Sequence, residues 1–69
     1  MGLSARNQLP GVIEEVEKDG IMARVVVKVG HHIVESVITR ASAKELKLKK
    51  GDEVRVVIKS TEVMIEKDK

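Results

Sequence analysis

From position 21 to 29 the chain alternates strictly: Ile21, Ala23, Val25, Val27 and Val29 fall on one side, Met22, Arg24, Val26 and Lys28 on the other. A two-residue apolar period marks a strand with one face on a core, because successive Cβ atoms point to opposite faces of an extended backbone. The period returns at 33–40, where Ile33, Glu35, Val37 and Thr39 alternate with Val34, Ser36, Ile38 and Arg40. It returns again at 54–59, with Val54, Val56 and Ile58 against Arg55, Val57 and Lys59. The chain contains no Phe, Tyr or Trp, so Val, Ile, Leu, Met and Ala must carry the whole core, and the first two favour strands.

Two further segments complete the expected set. Residues 10–16 read as a first strand entered through Pro10, whose missing N–H suits a strand start. Residues 62–66 read as a fifth, with Val63 and Ile65 on one face. Asp19-Gly20 signals a hairpin between the first and second strands, and Gly30 ends the second. The period breaks at Ala41. Ser42 followed by Glu45 matches a capping box and predicts a short helix over 43–48, with Gly51 as its stop. The expectation is an all-β protein: a single domain over residues 1–69, folded as a five-stranded Greek-key barrel of the OB type with one short helix between strands three and four. An SH3-like barrel is the alternative.

Size adds a constraint. A domain of 69 residues buries only about 60% of its unfolded surface, and this chain has no Cys to form disulfides, so association with further copies is expected. The start of the chain has no basic stretch leading into an apolar run, and no segment approaches the roughly 20 apolar residues of a membrane span. A cytoplasmic protein without membrane partners is the simplest expectation. Thirteen basic against eleven acidic residues leave a net charge of +2, too little to mark a polyanion binder.

Three polar clusters interrupt the apolar pattern. Ser4, Ala5, Arg6, Asn7 and Gln8 bring a hydroxyl, a guanidinium and two amides with no carboxylate among them. Donors without neighbouring carboxylates suit an oxyanion, which can only accept hydrogen bonds. Thr39, Arg40, Ala41 and Ser42 sit at a strand-to-helix junction, where free N–H groups attract anions. Lys59, Ser60 and Thr61 place a cation and two hydroxyls after strand four. Each cluster also has a purely structural reading: a solvated N-terminal tail, a helix cap at Ser42, and an edge-protecting lysine.

Taken together, Ser4-Ala5-Arg6-Asn7-Gln8-Leu9-Pro10-Gly11, Ile38-Thr39 with Ser42, Leu46-x-Leu48-x-x-Gly51-Asp52 and Ile58-Lys59-Ser60-Thr61-Glu62-Val63-Met64 resemble the molbindin family, in order and spacing over nearly the whole chain. Similar segments occur in the oxyanion-binding (TOBE) domains of molybdate-responsive regulators and transporter ATPases. The resemblance implies an OB-like barrel assembled as a hexamer of three dimers, with molybdate or tungstate held between subunits for storage or homeostasis. It further implies a site formed by Ser4, Arg6, Lys59 and Ser60 of one subunit, with Thr39 and Ser42 from its partner. Backbone N–H groups nearby, in the segments that include Ala5, Asn7 and Thr61, would complete the shell. His31-His32 departs from the small residues usual at that place in the family.

Other functional classes fit less well. An OB module that binds nucleic acid, the alternative reading, normally stacks bases on aromatic side chains, and this chain has none. No Cys nucleophile and no spaced His, Asp and Ser set suggest an enzyme. Adjacent His31 and His32 point to opposite faces of a strand and make a poor chelate, while Met22 and Met64 read as packing residues, so no metal cation and no cofactor are expected.

Overall fold

A computed structural model of the chain describes residues 5–68. It contains β1 (Asn7–Asp19), β2 (Met22–Val29), β3 (His32–Thr39), the helix α1 (Arg40–Glu45) and β4 (Glu53–Ile58), followed by a single 3-10 turn at Ser60–Glu62. The strands form one antiparallel sheet in the order β3-β2-β1-β4. The all-β class and the helix between the third and fourth strands agree with the sequence reading. The fifth strand does not: residues 63–68 carry no regular secondary structure. Alternation is a local property, whereas a strand also needs a ladder partner, and among the described residues this segment pairs with neither open edge of the sheet.

β1 spans 13 residues and serves two neighbours. Its first part, Asn7 to Val12, pairs with β4 from Ile58 to Glu53; its second, Val12 to Asp19, pairs with β2 from Lys28 to Met22. The change of partner coincides with a register shift between Ile13 and Glu15, the kind of irregularity that bends a strand and lets a sheet curl. Ile13 is the pivot, donating its N–H to the Asp52 carbonyl at 2.9 Å and accepting from the Gly51 N–H at 2.8 Å. Pro10 lies inside the strand, opposite Arg55, instead of starting it. Its missing donor is tolerated because β1 pairs on only one side there.

The hairpins are tighter than the alternation suggested. Asp19 still pairs with Met22, so Gly20 and Ile21 form a two-residue turn; Val29 pairs with His32 around Gly30 and His31 in the same way. Both glycines have positive φ, 63° and 60°, while neither Ile21 nor His31 does. A positive φ confined to the first central residue is the pattern of the II′ turn, which matches the twist of the flanking strands. Ile21 therefore sits at a turn tip, 82% exposed, and does not begin the buried face.

That face is small. Ile13, Val25 and Val27 form the buried cluster, and Val16, Val29, Ile38, Leu48, Val54 and Val56 pack on it while remaining partly exposed. On the outer face Arg24 bridges Glu15, Glu17 and Glu35 across three strands at 3.3, 3.4 and 3.1 Å. Bonding to Glu35 first and Glu17 next raises the pKa of its guanidinium above the ordinary arginine value.

The helix begins and ends earlier than expected. Thr39, extended at φ −70° and ψ 148°, is the N-cap in place of Ser42, because its Oγ1 accepts the Ser42 N–H at 3.0 Å. The stop is Lys47, not Gly51. With Lys47 at φ 55°, its N–H bonds the Lys44 carbonyl and the Leu48 N–H bonds the Ala43 carbonyl. These two bonds define a Schellman motif with a lysine in the position glycine usually takes.

Candidate functional site

The β1–β4 ladder is what assembles the candidate site. Asn7 pairs with Ile58, and its Nδ2 also donates to the Ile58 carbonyl at 3.3 Å. One residue beyond that pair, Arg6 leaves β1 and Lys59 leaves β4, so the first and third polar clusters meet within one chain although more than 50 positions separate them. Closure of the whole barrel is not required to join them.

Arg6 and Lys59 are both exposed, as are Ser60 and Thr61. Lys59 precedes the 3-10 turn with extended backbone, φ −64° and ψ 140°, and its carbonyl accepts the Glu62 N–H at 2.9 Å. That turn holds the Ser60 and Thr61 hydroxyls beside the lysine. Among the described residues, no carboxylate lies within ion-pairing distance of Arg6 or Lys59, whereas Arg24 and Lys49 are each paired. The corner is thus cationic, rich in donors and open to solvent. Ala5 lines it as a buried small residue whose carbonyl accepts from Gln8 Nε2 at 3.4 Å. Ser4 lies outside the described residues.

The second cluster is placed elsewhere. Thr39 pairs with Met22, which pairs in turn with Asp19 at the far end of β1 from Asn7. Among the described residues no hydrogen bond joins Thr39 or Ser42 to Arg6, Asn7 or Lys59. Thr39 Oγ1 donates to Ser42 Oγ at 2.8 Å while accepting the Ser42 N–H, and the Arg40 N–H bonds the Ile21 carbonyl at 2.7 Å. Two of the donors that a helix start would offer an anion are therefore already used.

Sequence reasoning passed over Arg55. It donates to Gln8 Oε1 at 2.7 Å, binding β4 to β1 just inside the cationic corner. The signal was present in the period: Arg55 and Lys59 are four apart in the strand segment and share a face. Neither His31 nor His32 joins the corner, and among the described residues no group of three or more His, Cys, Asp or Glu side chains gathers as a cation site.

Fold and site define a small domain with a curled antiparallel sheet whose first and last strands converge on a cluster of anion-seeking donors. Residues 3–65 match the TOBE domain model. The chain belongs to the TOBE family, in its molbindin branch of molybdenum-pterin-binding (Mop) proteins. It is 46% identical over 66 residues to molybdenum-pterin-binding protein 1 of Clostridium pasteurianum, covering 94% of this chain and 97% of that one. Among solved structures it resembles a molybdate-binding protein from Sporomusa ovata, with TM-score 0.94, 33% identity and coverage of 97% and 100% of the two chains. It is also similar to MopII of C. pasteurianum, with TM-score 0.88, 40% identity and coverage of 96% and 100%.

Proposed function

We propose that this chain binds molybdate, and tungstate with it, between subunits of a homo-oligomer, and serves to store or buffer the anion in the cytoplasm. The role is binding, not catalysis. The observation that carries the proposal is the Asn7–Ile58 pairing, which sets Arg6 beside Lys59, Ser60 and Thr61 with no carboxylate at hand among the described residues. The names of the relatives in C. pasteurianum and S. ovata support the choice of anion.

A tetrahedral dianion offers four acceptor oxygens and loses hydration on binding, so its site needs several donors and at least one cation. Arg6 and Lys59 supply charge; hydroxyls and backbone N–H groups supply direction. A site without carboxylates disfavours protonated phosphate, whose O–H would meet only the weaker acceptors of the hydroxyls. The corner is open in one chain, and Thr39 and Ser42 lie apart from it, so a second subunit would bring them in and exclude water.

Titration calorimetry of the oligomer with sodium molybdate and, separately, sodium sulfate tests the proposal. Strong saturable heat with molybdate and little with sulfate is expected. Equal weak heats for the two anions, or none, would overturn it.

A further inference from the structure

Among the described residues Arg55 of β4 forms no salt bridge, although Glu53 lies two positions away on the same face of the strand. Its Nη1 donates instead to a neutral group, Gln8 Oε1, at 2.7 Å. So short a distance marks a charge-assisted hydrogen bond. A glutamine amide has an acceptor end and a donor end. With its oxygen held by the guanidinium, the Nε2 end faces back along the chain and donates to the Ala5 carbonyl at 3.4 Å. The reverse orientation would set N–H against N–H and carbonyl against carbonyl, so Arg55 selects the orientation that is found. The cation also polarises the amide, which makes its N–H a better donor across the longer distance.

The far end of this chain of bonds is the peptide between Ala5 and Arg6. A peptide unit is planar and trans, so its C=O and N–H point in opposite directions. Turning the Ala5 carbonyl toward Gln8 therefore turns the Arg6 N–H away from it. Ala5 is buried, and a carbonyl there needs a donor. Asn7, on the other side of Arg6, is anchored separately by its pairing with Ile58 and by the bond from its Nδ2 to the Ile58 carbonyl at 3.3 Å. Arg6 thus lies between two fixed points. Neither Gln8 nor Arg55 has to touch an anion to hold it there.

We propose, on the reading that this corner holds molybdate, that Arg55 and Gln8 are positioning residues for it. Arg55 orients the Gln8 amide, Gln8 holds the Ala5 carbonyl out of the site, and the anion meets the Arg6 N–H instead. A carbonyl oxygen facing a dianion repels it, whereas an N–H in the same place donates to it. Without Arg55 the Gln8 amide is free to rotate, and the Ala5–Arg6 peptide loses its fixed orientation. The influence of Arg55 passes through Gln8, so removal of either side chain breaks the same link.

Titration calorimetry with sodium molybdate on wild type, Arg55→Met, Gln8→Met and the double variant tests the assignment. Both side chains are exposed, so the substitutions leave the buried cluster untouched. Each single variant should bind molybdate about fivefold to tenfold more weakly, the loss that one modest hydrogen bond accounts for. The double variant should bind no more weakly than Gln8→Met. Losses that multiply in the double variant would overturn the proposal, because Arg55 would then act on the anion by its own charge. The ligand-free protein gives a second reading that a merely structural role would not produce. In ¹⁵N spectra, Arg55→Met should shift the Gln8 side-chain amide and the Arg6 backbone amide while the urea midpoint stays in place. Unmoved Gln8 and Arg6 resonances would equally refute it. A wild type that binds no molybdate would sink the reading of the site, and the ligand-free spectra would still decide whether Arg55 orients Gln8.

Discussion

At the scale of single residues, Arg6 and Lys59 carry the most specific expectation. Hydrogen bonds to charged groups are worth about 1.5–3 kcal/mol each, and about 1.4 kcal/mol is a factor of ten in affinity. Arg6→Ala or Lys59→Ala should therefore weaken molybdate binding by about tenfold or more. Lys67→Ala, a charge change in the exposed tail, should leave it nearly unchanged, and calorimetry of the three variants side by side checks the difference. Gly11 matters for a steric reason. A Cβ there would meet the Lys28 carbonyl oxygen and Val27 Cγ1 at 2.7 Å and Val29 Cγ2 at 2.9 Å. Backbone and a buried core valine cannot give way, so Gly11→Ala should destabilise the fold by about 1–3 kcal/mol in urea unfolding, the usual cost of overpacking. The family segment ending Leu9-Pro10-Gly11 thus includes a packing requirement as well as candidate ligands.

At the scale of elements, the connection from α1 to β4 depends on Asp52. Its carboxylate accepts from Lys49 Nζ at 3.0 Å and from the Lys49 N–H at 3.1 Å, and these bonds hold its pKa below the ordinary aspartate value. A folded-state pKa below the unfolded one stabilises the fold above the unfolded pKa, about 3.9 for Asp, and that contribution fades as pH falls through the lower folded value. Asp52→Asn should flatten the acid limb of a stability profile measured between neutral pH and pH 2, with little change in its shape above pH 5. A profile as steep as that of wild type below pH 4 would show that other carboxylates govern acid unfolding. The element also bears on the site, because Asp52 accepts the Ile13 N–H at the point where β1 changes partner.

At the scale of the whole molecule, the buried cluster among the described residues is small, Ile13, Val25 and Val27, and an open slot lies between β3 and β4, so the proposed association would add to the stability of each copy. Exposed Ile21, Leu46, Met64 and Ile65 add apolar surface at several points on the exterior. Burial of each such side chain contributes about 1.5–3 kcal/mol, comparable with a sizeable part of the stability of a small domain. Stability linked to association depends on concentration. The thermal midpoint should rise over a hundredfold increase in protein concentration, as read by scanning calorimetry; a constant midpoint would mean that the single chain carries its own stability.

Period-two alternation was enough to locate β2, β3 and β4, and Asp19-Gly20 marked the first hairpin while Gly30 marked the end of β2, because each signal lies within a few residues of chain; which face of β3 turns inward came from the structure. The opening and closing polar segments were legible as donor sets for the same reason. Pairing was not local. The Asn7–Ile58 register that joins Arg6 to Lys59 spans almost the whole chain, as does the choice of β1 to bend and serve two strands. The cap at Thr39, not Ser42, depended on backbone angles at the junction of β3 and α1. Residues 62–66 show the division most clearly: their alternation is written in the sequence, but an extended segment becomes a strand only where it meets a sheet edge, and only the tertiary structure reveals that, among the described residues, this one joins no ladder.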